Sequence, residues 1–204
     1  MFRPFFLILA FLVSVSSILR AQEPAGSPTK TAVFADGCFW CMQSPFDKAK
    51  GVVKTVVGYS GGSEPNPTYE QVAAKKTGHR EVVQVTYDPA QISYAQLLDI
   101  FWRQINPTQA DGQFADIRLP YHAAIFYANE EEKKLAAASK EALGKSGKFS
   151  RPIVTELLPA APFYAAEDYH QKYYQKNAAD YQAYYVGSGR AGFIEKTWSK
   201  STKP

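Results

Sequence analysis

Residues 34–43 read FADGCFWCMQ and contain Cys38 and Cys41, the two cysteines of this 204-residue chain. The segment that leads into them, TAVFADG (31–37), predicts a short buried strand. The segment that follows, CFWCMQSPFDKAKG, predicts a helix that stops at Gly51. Cys38 is therefore expected where a strand passes into a helix, with Cys41 one helical turn further on.

The rest of the chain alternates strand and helix patterns around this junction. Four more strand-like segments are VVKTVVGYS (52–60), REVVQVTYDP (80–89), YHAAIFYA (121–128) and PIVTELLPA (152–160). Helices capped by Ser93 and Asn129 are predicted for SYAQLLDIFWRQI (93–105) and EEEKKLAAASKEALGKSG (130–147). This order predicts an α+β fold with a ferredoxin-like split βαβ core, a mixed sheet in two layers, and an irregular C-terminal extension.

The N-terminus has the pattern of an export signal. Arg3 precedes the apolar run FFLILAFLV, and LRA precedes a cleavage point after Ala21. We expect export, with the periplasm as the compartment; an uncleaved N-terminal anchor is the alternative, although the run is shorter than the roughly 20 residues that span a bilayer. The expected parts are a signal peptide (1–21), a flexible leader (22–29) and one globular domain (30–200).

The composition excludes several other classes of function. Hydrophobic residues make up 46% of the chain, which is enough for the core of one domain. The formal charge falls from +4 to +2 without Arg3 and Arg20, so the charge gives no reason to expect nucleic acid as a partner. The three histidines, His79, His122 and His170, lack the short spacing of metal ligands, and we expect no metal centre.

The cysteine pair suits chemistry better than it suits stabilisation. A disulfide between Cys38 and Cys41 would close a very short loop, and the stabilisation from a crosslink grows with loop length. A helix N-terminus lowers a thiol pKa, so we expect Cys38 to be a reactive thiolate and Cys41 its resolving partner. Phe39 and Trp40 would form an apolar pocket beside them. The residues alone also allow a thioredoxin-like oxidoreductase or two inert, buried thiols.

Six strings in order add a resemblance to this interpretation: GCFWC, GYSGG, NPTYEQV, TGHREVVQVTYDP, LLDIFWRQINPTQ and AEDYHQKYYQKN. Together, from about Thr31 to about Trp198, they resemble the peptide methionine sulfoxide reductase A family. The resemblance implies an enzyme that reduces methionine S-sulfoxide, free or in proteins, without a metal or an organic cofactor. It also implies that a thioredoxin-like dithiol protein resets the enzyme, and we expect a monomer.

The resemblance gives the cysteines and the aromatic residues between them definite roles. Cys38 would attack the sulfoxide sulfur and become a sulfenic acid while methionine leaves. Cys41 would then condense with the sulfenic acid to form a disulfide. Phe39 and Trp40 would hold the terminal methyl group of the substrate.

The resemblance also implies roles for four polar residues. Glu81 would donate a proton to the sulfoxide oxygen, because a carboxyl group buried beside aromatic rings stays protonated near neutral pH. Tyr69 and Tyr121 would donate hydrogen bonds to the same oxygen. Asp116 would lie close to the nucleophile.

Without the resemblance, these residues have simpler interpretations. Glu81 would be a solvated strand end, Tyr69 a packing residue over a turn, and Asp116 a loop residue. The site role of Tyr121 rests on the resemblance alone. His79 would be either a partner of the site or an exposed loop histidine, and the tyrosines of the C-terminal extension would be packing residues.

One loop departs from the family pattern. The family usually has a Gly-Asn-Asp-Arg-Gly-like turn followed by Thr-Gln-Tyr, whereas this chain reads FADIRLPYH. Ala115 removes an amide side chain, Arg118 replaces a glycine, and Pro120 stiffens the approach to Tyr121. A peptide-binding protein that has lost turnover is therefore one alternative function.

Two further departures lie beside the cysteines. Gln43 stands where the family often has glutamate, and Asp36 stands where glycine is common. We expect Asp36 to place a negative charge near Cys38 and to raise its pKa. A thiol–disulfide oxidoreductase that acts on exported proteins through the same cysteine pair is the second alternative function.

Overall fold

The computed structural model describes residues 28–199. The predicted signal peptide, most of the leader and the last residue of the predicted domain lie outside the described residues. Within 28–199 the strands are β1 (Lys30–Ala35), β2 (Val52–Ser60), β3 (Arg80–Tyr87), β4 (Gly112–Gln113), β5 (Asp116–Ile117), β6 (Ala124–Tyr127), β7 (Glu156–Pro159) and β8 (Phe163–Ala165). The α-helices of the same part are α1 (Phe39–Asp47), α2 (Tyr69–Ala73), α3 (Tyr94–Trp102), α4 (Glu130–Lys145), α5 (Tyr173–Lys176), α6 (Ala178–Gly187) and α7 (Arg190–Trp198), and a 3-10 helix covers Leu119–Tyr121.

Six of these strands form one mixed sheet in the order β7-β6-β1-β3-β2-β8. Neighbouring strands are antiparallel except β6 and β7, which are parallel. The central strands β6-β1-β3-β2, with α1 after β1 and α3 after β3, form the split βαβ core that the sequence predicts. β7 and β8 extend the two edges of the sheet, and β4 and β5 form a separate hairpin.

Because successive side chains of a strand point to opposite faces of the sheet, alternate residues of each strand face the helices. Phe34 of β1 points to that face, where its ring centroid lies 5.2 Å from Phe46 of α1 and 5.4 Å from Phe101 of α3. Val33 and Ala35 point the other way, into a smaller apolar cluster. The main core therefore lies between the sheet and its helices, in the two layers that the sequence predicts.

The helix starts follow the predicted capping signals. Ser93 Oγ and Asn129 Oδ1 accept hydrogen bonds from the third backbone N–H of α3 and α4, at 3.3 and 2.9 Å. The first helix ends at Asp47 and does not continue to Gly51 as predicted. Gly51 has a φ of +94°, and a Cβ there would lie 2.8 Å from the side chain of Ile92, so this turn into β2 requires glycine.

The C-terminal extension packs across β2 and α1. The Val57 N–H donates to Gln171 Oε1 at 3.0 Å, and Gln171 Nε2 donates back to the Val57 carbonyl at 2.8 Å. The Lys172 N–H donates to Gln43 Oε1 at 2.6 Å, so the residue at the family's glutamate position holds the extension in place. Among residues 28–199, none of the helices combines the length and the apolar character needed to cross a membrane.

Candidate active site

The two cysteines lie at the junction between β1 and α1. β1 ends at Ala35, Gly37 turns the chain with a φ of +87°, and Cys38 is the N-cap of α1. A Cβ on Gly37 would lie 2.5 Å from the Gln113 side chain, so this turn requires glycine. Both cysteines are free thiols; Cys38 is 6% exposed and Cys41 is fully buried. A single helical turn thus holds two thiols side by side inside the protein.

Glu81 reaches this junction because of strand register. Alternate residues of β3 point to the helical face, and Glu81 shares this direction with Val83, which lies in the main core. β3 is antiparallel to β1, so its beginning lies beside the end of β1. Glu81 is 3% exposed, and its Oε2 accepts the Phe39 N–H at 3.1 Å. The interpretation of Glu81 as a solvated strand end is therefore wrong.

Burial determines the protonation state of Glu81. Desolvation raises the pKa of Glu81 to about 8, even though the hydrogen bond from the Phe39 N–H lowers it. The negative charges of Asp116 and Cys41 raise the pKa of Glu81 further. The carboxyl group is therefore protonated at neutral pH and available as a proton donor.

The two thiols differ in their tendency to ionise. Burial raises the pKa of Cys38 well above its usual value, and its hydrogen bond with Cys41 and the nearby Glu81 raise it further. The pKa of Cys41 is lowered by the hydrogen bond with Cys38 and, to a smaller extent, by Arg190. The first helical amide does not compensate, because the Phe39 N–H is bound to Glu81. The prediction that the helix N-terminus lowers the pKa of Cys38 is wrong, and of the two thiols Cys41 ionises more readily.

Tyr69 and Tyr121 bring two hydroxyl groups to the same place. Tyr69 is the first residue of α2 and Tyr121 the last residue of the 3-10 helix, and both are half-buried. Burial raises the pKa of Tyr69 to about 12 and also raises the pKa of Tyr121, and the nearby Glu81 and Cys38 add to both shifts. Both hydroxyls therefore remain hydrogen-bond donors throughout the neutral range.

Asp116, at the start of β5, lies within electrostatic reach of the thiols. Its Oδ2 accepts a hydrogen bond from the Tyr184 hydroxyl of α6. Burial raises the pKa of Asp116, against the lowering effects of Tyr184 and Arg190. Arg118, two residues on, has a φ of +97°, a backbone region that suits glycine. Replacing the family's glycine here introduces strain of about 1–3 kcal/mol into the loop that carries Asp116.

Phe39 and Trp40 are adjacent in sequence but have different surroundings. Phe39 is 1% exposed, and its ring centroid lies 5.9 Å from Tyr59 and 4.9 Å from His170. Trp40 is half-buried and stacks on Tyr173 of α5, with the ring centroids 3.8 Å apart. The Trp40 indole N–H donates to His170 Nδ1 at 2.9 Å, which fixes the plane of the indole. Phe39 is thus a core residue, and Trp40 is a wall that the extension holds in place.

Four residues of this region were not predicted from the sequence, and all of them belong to the C-terminal extension: His170, Tyr173, Tyr184 and Arg190. His170 lies between Trp40, to which it is hydrogen-bonded, and the ring of Tyr69 at 4.4 Å. Reading the tyrosines of the extension as packing residues alone is wrong for Tyr184, which binds a predicted site residue. The string AEDYHQKYYQKN contained a signal for His170 and Tyr173, and nothing comparable pointed to Arg190.

His79 lies away from this cluster. It is fully buried; its Nδ1 accepts the Gly62 N–H at 3.3 Å and its Nε2 lies 2.8 Å from the Glu64 carbonyl oxygen. The ring therefore ties the turn after β2 to the start of β3. The prediction that His79 is an exposed loop residue is wrong, and its ring is bonded to Gly62 and Glu64.

The buried thiol pair, the protonated carboxyl group and the two phenol hydroxyls define a thiol-dependent oxidoreductase. A family model described as peptide methionine sulfoxide reductase matches residues 30–202. The peptide methionine sulfoxide reductases MsrA of Bacillus subtilis and Listeria monocytogenes are 58% and 52% identical over 167 residues, 82% of this chain and 94% of each relative. The chain belongs to the peptide methionine sulfoxide reductase A family.

Solved structures of this family share the fold. Mxr1 from Saccharomyces cerevisiae in its reduced form matches with 32% identity and a TM-score of 0.67, over 81% of this chain and 94% of that chain. Methionine sulfoxide reductase A of Corynebacterium diphtheriae matches with 34% identity and a TM-score of 0.66, over 78% of each chain. Both matches support the α+β architecture with a mixed sheet.

The raised pKa of Glu81 makes stability depend on pH. The folded value of about 8 lies above the roughly 4.3 of an unfolded glutamate. The contribution of the neutral carboxyl group is therefore complete below the unfolded pKa and is lost as the pH rises towards 8. Relative to the wild type, Glu81→Gln should gain roughly 3 kcal/mol in free energy of unfolding between about pH 4 and about pH 7. Urea unfolding measures this difference.

The control for this measurement is Glu195→Gln, because Glu195 is exposed on α7. We expect the difference between Glu195→Gln and the wild type to stay constant over the same pH range. A constant difference for Glu81→Gln as well would show that Glu81 ionises normally in the folded protein.

Proposed function

We propose that Cys38 is the nucleophile and that Glu81 is its proton donor. The reaction of the chain is the thiol-dependent reduction of methionine S-sulfoxide to methionine. The observation that carries the assignment is the 3.1 Å hydrogen bond from the Phe39 N–H to Glu81, which fixes a protonated carboxyl group beside Cys38. A sulfoxide oxygen leaves only when it is protonated, and a general acid must lie within reach of it.

In the first half-reaction, Cys38 gives up its thiol proton, which ends in the released water, and attacks the sulfur of the sulfoxide as a thiolate. The oxygen passes to Cys38 and takes a proton from Glu81, so that Cys38 becomes a sulfenic acid and the substrate sulfur becomes a thioether. Tyr69 and Tyr121 donate hydrogen bonds to the oxygen as negative charge develops on it, because their hydroxyls stay protonated. Asp116 has no step of its own; held by Tyr184, it adds to the field that keeps Glu81 protonated.

The aromatic wall selects the small apolar end of the substrate. Trp40 presents a half-buried face beside Cys38, and Tyr173 and His170 fix its orientation. A methyl group attached to the reacting sulfur fits against such a face without losing a hydrogen bond, whereas a charged group would be desolvated there. Phe39 supports the wall from inside the core.

In the second half-reaction, Cys41 condenses with the sulfenic acid to form the Cys38–Cys41 disulfide. The thiols lie one helical turn apart, and the Cys41 N–H donates to the Cys38 carbonyl oxygen at 3.0 Å, so the disulfide can form with little backbone movement. A thioredoxin-like dithiol protein then reduces the disulfide by thiol–disulfide exchange. The attack falls on Cys38, since it keeps some exposure and Cys41 has none.

The alternative of a thiol–disulfide oxidoreductase is not favoured. Exchange between disulfides transfers no oxygen, and it therefore needs neither a protonated carboxyl group nor two phenol hydroxyls around the nucleophile. This site nevertheless has three buried or half-buried polar groups around the nucleophile, namely Glu81, Tyr69 and Tyr121.

We also propose that the protein is exported and acts in the periplasm after residues 1–21 are removed. The support is the pattern of the first 21 residues, a positive start at Arg3 and an apolar run before Ala21. An exported reductase would repair oxidised methionine in envelope or secreted proteins.

The cysteine roles are tested by following each epimer of a methionine sulfoxide substrate by chromatography. With dithiothreitol, the wild type should consume the S epimer and leave the R epimer as an internal control, whereas Cys38→Ser should consume neither. With thioredoxin as reductant, Cys41→Ser should stop after about one turnover, because it forms no disulfide for thioredoxin to reduce. A folded wild type that consumes neither epimer would disprove the proposed function.

The role of Glu81 is tested by first-turnover kinetics. Glu81→Gln should form methionine roughly 100- to 10,000-fold more slowly, the usual loss for a general acid. In the wild type the rate should rise with pH and level off at about 8, because above that pH the ionisation of Glu81 offsets the gain in Cys38 thiolate. Glu195→Gln, on the exposed face of α7, should behave as the wild type. The rate of Glu81→Gln should continue to rise above pH 8, and the same levelling off in this variant would assign it to another group.

Export is tested by expressing the full chain in a bacterium with a periplasm. The mature protein should appear in the periplasmic fraction with Gln22 as its first residue, and a chain without residues 2–21 should remain in the cytoplasm. A chain with an intact N-terminus in the membrane fraction would indicate the anchor instead. Full-length protein in the cytoplasm would contradict both forms of export.

A further inference from the structure

A buried guanidinium group lies against the junction that carries the cysteines. Arg190, the first residue of α7, is 1% exposed. Its Nη2 donates to the Asp36 carbonyl oxygen at 3.0 Å, and its Nη1 donates to the Gln104 carbonyl oxygen at 2.5 Å and lies 4.0 Å from the sulfur of Met42. A Cβ on Gly37 would lie 2.9 Å from Nη2. The positive charge is thus enclosed between the residues that flank the two cysteines.

Arg190 is not neutralised by an ordinary ion pair. Its hydrogen-bonded oxygens are carbonyls, which carry no formal charge. In the part of the chain that the structure describes, no carboxylate lies within 4.0 Å of its guanidinium nitrogens. A buried cation requires a nearby negative charge to offset its desolvation. The Phe114 ring, whose centroid lies 4.6 Å from the guanidinium carbon, stabilises part of this charge, and the remaining counter-charge comes from titratable groups a little further away.

Asp36, on the turn between β1 and α1, has a carboxyl group without hydrogen bonds in the described part of the chain. It is fully buried, and neither of its carboxyl oxygens has a hydrogen-bond partner among residues 28–199. Burial raises the pKa of Asp36 well above its usual value; Arg190 lowers it, and the negative charge on Cys41 raises it. Burial and a negative charge on Cys41 therefore both favour the protonated form of Asp36. The expectation that Asp36 places a negative charge beside Cys38 is wrong for the reduced protein.

The other titratable groups packed around Arg190 and Cys41 are Cys38 on α1, Glu81 on β3, Asp116 on β5, and Tyr181, Tyr184 and Tyr185 on α6. Raised pKa values keep the three tyrosines and Glu81 protonated near neutral pH. Asp116 accepts the Tyr184 hydroxyl and is a weaker partner of Arg190 than Cys41, Asp36 and Cys38 are. The thiol pair and Asp36 remain as the groups that can exchange one negative charge beside Arg190.

We propose that Arg190 and Asp36 are positioning residues for the resolving step. The buried guanidinium holds Cys41 as the thiolate that closes the disulfide, and Asp36 replaces that thiolate as the counter-charge once the disulfide has formed. This inference rests on the proposed function, because it assigns the second half-reaction of the same site. It explains why a fully buried carboxyl group without hydrogen bonds belongs to the residue whose backbone carbonyl binds the buried cation.

Protons, electrons and charge balance over the cycle. The reduced protein starts with a Cys38 thiol, a Cys41 thiolate and a protonated Asp36. The sulfoxide sulfur gains two electrons and loses its oxygen; the two cysteine sulfurs lose one electron each and form the S–S bond. The oxygen leaves as water with the protons of Cys38 and Asp36, while Glu81 gives up its proton and recovers it. One negative charge remains beside Arg190, now on Asp36.

The first test separates the two half-reactions in a single turnover. Enzyme and substrate are mixed in equal amounts and quenched at intervals, and methionine, disulfide and sulfenic acid trapped by dimedone are measured. For Arg190→Met we expect one equivalent of methionine, an accumulating sulfenic acid, and disulfide formation at least tenfold slower at neutral pH. Its rate should recover as the pH rises towards about 8.5, the pKa of an ordinary thiol. Arg190→Lys should restore part of the rate.

The results that overturn the proposal are distinct from those that overturn the proposed function. Disulfide formation as fast in Arg190→Met as in the wild type excludes a role for the guanidinium. A slow rate that higher pH does not restore indicates a merely structural role, and also overturns the proposal. If no variant and no wild-type protein forms methionine, the proposed function itself fails.

The second test needs no turnover and no Arg190 variant. Infrared difference spectra compare the reduced protein with the disulfide form made by a chemical oxidant at neutral pH. The wild type and Glu81→Gln should both lose the C=O stretching band of a protonated carboxyl group on oxidation, and Asp36→Asn should show no such loss. A wild-type spectrum without the loss, or the same loss in Asp36→Asn, overturns the proposal.

Discussion

The hydrogen bond from the Phe39 N–H to Glu81 joins the first helix to the third strand, and the chemistry of the site depends on it. An amide in the first turn of a helix has no partner within the helix, and a buried carboxyl group has no water. Each group satisfies the other at 3.1 Å. Gly37 makes the turn tight enough for this contact, and the antiparallel register of β1 and β3 places Glu81 opposite it. The fold therefore fixes an acid beside a thiol through one backbone bond.

The C-terminal extension provides the remaining contacts around the reactive thiols. His170 holds the indole of Trp40 from 130 positions away in the sequence, and Gln43 on α1 holds the extension through the Lys172 N–H. Arg190 brings a positive charge to the thiols from the last helix. The wall for the substrate and the counter-charge for the thiolate thus exist only when the extension is packed on α1. Domain folding and assembly of the reactive site are therefore one event.

The sequence predicts the sheet and its helices because local patterns determine them: alternation sets the strands, and Ser93 and Asn129 set two helix starts. Glu81 was predicted as a site residue only from the resemblance to the family. The local sequence pattern predicted an exposed strand end, whereas Glu81 is buried. The pKa of Cys38 was wrong for a related reason, since a rule for helix ends ignores what the rest of the fold buries. Arg190 could not be found at all, because only long-range packing brings it to the thiols. The export signal stays a prediction.

The raised pKa of Cys38 is compatible with its role as a nucleophile, because the same burial prepares the acid. Cys38 and Glu81 raise each other's pKa when either is charged, and a small apolar volume does not hold both negative charges. When Cys38 becomes a thiolate, Glu81 is therefore held in its protonated form. A more polar site would lower the thiol pKa, but it would also let Glu81 ionise and remove the proton that the sulfoxide oxygen needs. Burial thus lowers the ionised fraction of Cys38, but it keeps Glu81 protonated when Cys38 attacks the sulfoxide.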